Sequence, residues 1–193
     1  MNKPIPNGIV GIGGSAGALN AYKALLDHLP ADTGLAFVII SHINPQASSQ
    51  LAEILARHTK MPTQVVCPAM PISADHVYVI PANADLEVEK YKFKVTTPRS
   101  RRNVQIDIFF RSIADAFGDR AIGVIVSGYC EDGTAGCKHI KENGGITIAQ
   151  DASAEVPSMP VSAQASGQVD LVLAPDKMAA SLIEIGARFS RGV

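Results

Sequence analysis

Short apolar runs recur along the chain, separated by longer stretches in which apolar positions fall three and four residues apart. The runs predict buried strands at Ile9–Gly13, Leu35–Ser41, Thr63–Val66, Val77–Ile80, Ala121–Ser127, Ile146–Gln150 and Leu171–Ala174. The periodic stretches predict helices over Ala18–Leu29, Ser48–Thr59, Ile106–Phe117, Gly133–Asn143, Val161–Ser166 and Lys177–Arg191. Strand and helix alternate through most of the chain, as in βαβ units with right-handed crossovers, so an α/β protein with a parallel sheet is expected. Leu86–Thr96 departs from that rhythm. It alternates apolar and polar residues around Glu89-Lys90-Tyr91-Lys92, which predicts a surface β-hairpin inserted between two parallel units. The polar segment Pro98-Arg99-Ser100-Arg101-Arg102-Asn103 then reads as a loop leading into a helix for which Asp107 is a candidate cap.

Composition narrows the class. With 193 residues, 47% hydrophobic and 18% charged, the whole chain 1–193 is expected to form one globular domain with a sizeable core. A net charge of -1 supplies no general field for nucleic acid or an anionic membrane, and neither is expected as a partner. The start, Met1-Asn2-Lys3-Pro4-Ile5-Pro6, lacks the apolar core of a signal peptide, and no run reaches the roughly 18 residues of a spanning helix. A cytoplasmic protein without membrane insertion is the expectation. Cys67, Cys130 and Cys137 show no Cys-x-x-Cys spacing, and their odd number suits free thiols in a reducing compartment.

Three strand ends carry groups with hydrolytic potential. Gly11-Ile12-Gly13-Gly14-Ser15-Ala16-Gly17, Ser41-His42 and Gly128-Tyr129-Cys130-Glu131-Asp132-Gly133 each follow an apolar run. A parallel sheet gathers such loops at the carboxyl ends of its strands, so distant residues meet at one cleft. A serine hydroxyl becomes a nucleophile when an imidazole takes its proton and a carboxylate orients that imidazole. Ser15 sits where strand turns into helix, and amides at a helix start can bind an oxyanion. The same segment has two other readings. Gly11-x-Gly13-x-x-Ala16 fits a dinucleotide fingerprint, and a glycine-rich turn can serve helix–sheet packing alone. The fingerprint calls for an acid at the end of the second strand, where this chain has Ser41-His42.

Of five histidines, His42 alone ends an apolar strand; His28 and His58 suit helix C-termini, His76 precedes a strand and His139 sits on a helix face. Asp132 competes with Glu131 for the orienting role and is also a candidate cap of the next helix. Spacing does not choose between them. Cys130 is a second possible nucleophile, although no second histidine is expected near it. Cys130-x6-Cys137-x-His139 is not a recognised zinc spacing and lacks a fourth ligand, so neither a metal nor a cofactor is expected.

From about Gly8 to Arg188 the chain closely resembles the catalytic domain of CheB-type chemotaxis protein-glutamate methylesterases. The resemblance rests on Val10 to Gly17, Ser41-His42, His76-Val77-Tyr78-Val79-Ile80-Pro81, Ile106 to Ser112, Ser127 to Gly133, and Met159-Pro160. It implies a doubly wound, mostly parallel sheet flanked by helices, with the β-hairpin inserted. It also implies Ser15 as nucleophile, His42 as base and Asp132, over Glu131, as orienting acid, with Ala16 and Tyr129 on the oxyanion side of the cleft. The implied activity is hydrolysis of glutamate γ-methyl esters on the cytoplasmic helices of methyl-accepting chemoreceptors, with release of methanol and with glutamine deamidation at some of the same sites.

The resemblance has departures. Ala16-Gly17-Ala18 stands where Thr-Gly-Gly or Ala-Gly-Gly is usual, and Val161 replaces an arginine. In the acid loop Cys130 replaces a glycine and Tyr129 a common methionine, a change that keeps a non-catalytic docking module with the same fold as one alternative. A nucleotide-binding α/β enzyme is the other. The chain begins almost at its first strand, so no receiver domain is expected. Its layout is nearest the esterase module of fused methylesterase–methyltransferase proteins, which makes a receptor methyltransferase domain a candidate partner. Arg99, Arg101 and Arg102 form the densest cationic cluster; they are either solvated or positioned to capture glutamate-rich receptor helices.

Overall fold

The computed structural model describes residues 5–42 and 50–192. Its strands are β1 (Gly8–Gly14), β2 (Leu35–Ser41), β3 (Thr63–Val65), β4 (His76–Val79), β5 (Asp85–Glu89), β6 (Lys92–Thr96), β7 (Ala121–Ile125), β8 (Ile146–Gln150) and β9 (Leu171–Leu173). Its α-helices are α1 (Ala18–Asp27), α2 (Leu51–Leu55), α3 (Gln105–Phe117), α4 (Thr134–Glu142), α5 (Ser158–Ala165) and α6 (Pro175–Arg191). Seven strands form one sheet in the order β3-β4-β2-β1-β7-β8-β9, with every pairing parallel. Strand order reverses around β1. The chain winds outward through β2 and β4, then returns to place β7 on the other side of β1, and ligand clefts form at such reversals.

Each strand feeds two cores because successive side chains point to opposite faces. Val10 and Ile12 join Leu25 and Leu26 of α1, Leu55 of α2 and Leu182 of α6 on one face. Ile9, Val38 and Ile40 join Phe109 and Phe110 of α3, Ile140 of α4 and Met159 of α5 on the other. Gly11 and Gly13 point to this second face. A Cβ on Gly11 would lie 2.8 Å from the Phe110 ring, and one on Gly13 would lie 2.5 Å from Ile106 Cγ2. These glycines therefore admit α3 directly against β1. Helix packing, rather than approach of a dinucleotide, accounts for this part of the motif.

The expected hairpin is β5–β6, closed by Lys90 and Tyr91 at φ 50° and 59°, as a two-residue turn of the type I′ class requires. Leu86, Val88 and Phe93 turn its apolar side inward. Helix boundaries differ from expectation where proline is involved. α5 starts at Ser158 and α6 at Pro175, because a proline in the first turn forfeits only an N–H that has no intrahelical acceptor. α2 ends at Leu55 instead of Thr59, and residues 48–49 of its expected start lie outside the described residues. Among the described residues no helix is long and apolar enough to cross a membrane.

Candidate active site

Ser15 and His42 follow β1 and β2, whose last paired residues are Gly14 and Ser41. The His42 amide donates to Gly14 O at 3.4 Å, and the Ser15 amide donates to Ser127 O at 3.0 Å, so the sheet hydrogen bonding continues just past the strand ends. Ser15 is half-buried and lies against Gly128, where an added Cβ would come 3.1 Å from Ser15 Cβ and 2.7 Å from Met159 Cε. Gly17 supplies the left-handed residue (φ 73°) that starts α1 immediately after the serine.

Asp132 is buried and Glu131 is exposed, which separates the two neighbours left open by spacing. His42 Nε2–H donates to Asp132 Oδ2 at 2.7 Å, and the two side chains are 8% and 0% exposed. The same carboxylate accepts the amides of Ile106 (3.0 Å, at Oδ2) and Asp107 (2.9 Å, at Oδ1), which open α3. Asp132 thus caps α3, not the helix that follows it. Asp107 is likewise not a cap of its own helix: it lies in the first turn of α3, and its Oδ1 accepts the amides of Gly133 (3.0 Å) and Gly136 (2.6 Å) at the start of α4. The two helices exchange carboxylates. Bonds of this charged kind contribute about 1.5–3 kcal/mol each, so the exchange fixes the Asp132 loop strongly. Burial pushes the Asp107 carboxyl up, the Gly136 amide opposes this, and the charge of Asp132 pushes it up again.

Because Nε2 is held by Asp132, Nδ1 is the nitrogen of His42 turned away from the carboxylate. This is the reverse of the serine-protease arrangement, in which Nδ1 faces the carboxylate. Nδ1 stands 4.0 Å from Cys130 Sγ, so the histidine beside Cys130 is His42 itself. Burial disfavours the imidazolium, but the hydrogen bond to Asp132, the Cys130 sulfur and their charges outweigh it and raise the His42 pKa from 6.5 to about 9.

Other site residues fall at different distances from this centre. Tyr129 is exposed at the rim (63%), next to Cys130, and Ala16 directly follows Ser15. A cleft of about 550 Å³ adjoins Asp132 and is lined by Asn103, Asp107, Glu131, Thr134, Lys138 and Gln168 among others. None of the three arginines lines it. Arg101 and Arg102 are exposed just ahead of Asn103, while Arg99 is half-buried, with its amide bonded to Asn83 O. The remaining histidines are engaged elsewhere: His28 bonds Ala24 O at the end of α1, His58 pairs with Asp27, and His139 with Asp115.

Two residues with no role in the sequence reading support the loops. Ser127 Oγ donates to Ala16 O (2.8 Å) and accepts the Val156 amide (2.9 Å), while Gln150 Oε1 accepts the Ser127 amide (3.0 Å). Their signal is a polar residue ending an otherwise apolar run, which marks a buried group needing a partner.

Comparison with known proteins bears on this geometry. The family model for CheB methylesterase matches residues 10–182. A Leptospira interrogans relative is 35% identical over 178 residues, covering 90% of this chain and 92% of its own. A Pseudomonas aeruginosa relative named protein-glutamate methylesterase/protein-glutamine glutaminase 3 is 33% identical over 181 residues; these cover 92% of this chain but only 54% of that longer protein. The crystal structure of the Thermotoga maritima CheB methylesterase catalytic domain superposes with a TM-score of 0.85 at 26% identity, covering 92% of this chain and 98% of that one.

Proposed function

Since this chain belongs to the CheB methylesterase family, we propose that it hydrolyses glutamate γ-methyl esters on a protein substrate, with Ser15 as nucleophile, His42 as base and Asp132 as orienting acid. The observation that carries this reading is the buried 2.7 Å bond between His42 and Asp132 beside the strand end that presents Ser15. Ser15 Oγ attacks the ester carbonyl while His42 Nδ1 takes its proton. That proton leaves on methoxide as methanol, and water, activated by the same nitrogen, releases the glutamate from the acyl-serine. A glutamine side chain entering the same path loses ammonia, which is the deamidation expected of this family.

The amides of Ala16 and Tyr129 are the oxyanion donors in this scheme. The Ser15 amide is committed to Ser127 O, whereas among the described residues those two make no hydrogen bond. A donor aimed at the developing oxyanion is worth about 3–4 kcal/mol of barrier. The substrate class is the helical cytoplasmic region of methyl-accepting chemoreceptors, so the reaction takes place in the cytoplasm. Arg99, Arg101 and Arg102, in the loop before α3, attract its glutamates. A receptor methyltransferase domain is a further partner consistent with the layout of the chain, which acts as one catalytic domain without a cofactor.

The test is methanol release from methylated receptor fragments by wild type and Ser15→Ala. Release is expected to fall to background with an unchanged unfolding midpoint, because losing one hydroxyl at a half-buried site opens no sizeable cavity. Release that survives Ser15→Ala and disappears in Cys130→Ala would transfer the nucleophile's role to the thiol.

A further inference from the structure

The three cysteines occupy three environments. Cys67 is exposed, and Cys137 is fully buried, with burial pushing its thiol up to about 12. Cys130 is half-buried, and its sulfur faces His42 Nδ1 at 4.0 Å. Its backbone is left-handed (φ 70°), a conformation that is costly for a non-glycine residue. A glycine there would be free of that cost but would place nothing against the imidazole. Sulfur, imidazole and carboxylate therefore form a chain, Cys130–His42–Asp132, whose last two members are the proposed base and acid. Thiol reactivity concentrates at partly exposed sulfurs beside a cationic partner, and among the described residues only Cys130 of the three has one.

We propose that Cys130 is a modification site for hydroperoxides, and that its sulfenic acid withdraws His42 from the service of Ser15. With His42 neutral, the thiol proton passes to Nδ1, and the thiolate attacks one peroxide oxygen. An S–O bond forms as the O–O bond breaks, sulfur gives up two electrons and the peroxide gains them. The departing oxygen leaves with the proton from His42, so hydrogen peroxide yields one water. A small thiol then displaces water from the sulfenic acid to form a mixed disulfide, and a second restores Cys130 as the small-molecule disulfide departs. A serine hydroxyl undergoes none of this, so Ser15 is indifferent to the oxidant. While the sulfenic acid is present its O–H donates a hydrogen bond to Nδ1, and the nitrogen that should receive the Ser15 proton is occupied.

The inference goes beyond the esterase reading and can be read without ester hydrolysis. The purified full chain is treated with limiting hydrogen peroxide, sulfenic acid is trapped with dimedone, and the labelled peptides are quantified by mass spectrometry. The Cys130 peptide is expected to label at least about tenfold faster than Cys67, with Cys137 protected in the folded protein. His42→Gln should bring Cys130 down to the rate of Cys67. In parallel samples without dimedone, ester hydrolysis should fall with the time course that Cys130 labelling reports and return with dithiothreitol, and the activity of Cys130→Ala, whatever its starting rate, should not respond to peroxide. Labelling of Cys67 at the same rate as Cys130, or Cys130 labelling indifferent to His42→Gln, overturns the site. Full labelling of Cys130 with undiminished hydrolysis overturns the effect on His42.

Discussion

Titration of His42 should move activity and stability in opposite directions. The imidazole must be neutral at Nδ1 to receive the Ser15 proton, yet Asp132 and Cys130 hold its pKa at about 9 against the desolvation that would lower it. Below that value kcat/KM should fall tenfold per pH unit, leaving about 1% of the plateau at neutral pH. Stability runs the other way. The folded-state pKa lies above the ordinary 6.5, so the stabilisation is fully present below about 6.5 and is lost as pH rises through about 9. The interval corresponds to at most about 3 kcal/mol at 1.36 kcal/mol per pH unit. The assay is kcat/KM on a small neutral ester between about pH 6 and about pH 10, with urea unfolding over the same range. Imidazole NMR of Cys130→Ala should show a lower pKa than wild type, because the sulfur's contribution is gone. An activity limb at about 6.5, or unfolding free energies that stay flat between about 6.5 and about 9, would refute the reasoning.

Asp132→Asn should lower kcat by about 10⁴ and also destabilise the fold, since the new amide nitrogen would confront the His42 and Ile106 donors at Oδ2, whereas Glu131→Gln at the exposed neighbour should be nearly silent. Kinetics and thermal unfolding of the pair check this, and equal effects at both positions would be incompatible with the buried role of Asp132. Gly128→Ala should press Met159 and Ser15 apart and cost on the order of 10²-fold in kcat, with about 1–3 kcal/mol of stability; a variant with native kinetics would show that Ser15 tolerates displacement. Replacing Arg99, Arg101 and Arg102 by glutamine should raise KM for a receptor fragment and weaken its salt dependence, while sparing a small neutral ester. An unchanged KM would return the cluster to ordinary surface.

That Ser15, His42 and Asp132 lie past neighbouring strand ends was legible in the sequence because each follows an apolar run, and in a parallel sheet the ends of β1, β2 and β7 lie together. The orientation of the imidazole was not. Whether Nδ1 or Nε2 meets the carboxylate depends on the line along which Asp132 approaches, and that line is set by where the first turns of α3 and α4 cross. The exchange of caps between Asp107 and Asp132 was hidden for the same reason: local capping rules pair a residue with its own helix, whereas here each carboxylate reaches 25 or more positions along the chain. Cys130 escaped notice as a partner of His42 because its direction follows from a positive φ that a non-glycine residue rarely adopts. Gly11 and Gly13 offered two readings in sequence, and the Phe110 and Ile106 side chains stacked over them decide for packing.

The crossed carboxylates of α3 and α4 tie the proposed orienting acid to the packing of two helices. Asp132 reaches its station only once α3 has presented the amides of Ile106 and Asp107, and α4 is held at its start only once Asp107 has arrived. A nascent or partly opened chain with β1 and β2 already paired would own a serine and a histidine but no anchored acid. Such a chain is expected to hydrolyse glutamate esters more slowly by about the 10⁴-fold of Asp132→Asn. A change that shifts α3 along its axis moves the amides that hold Asp132, and through Asp132 it reaches the imidazole.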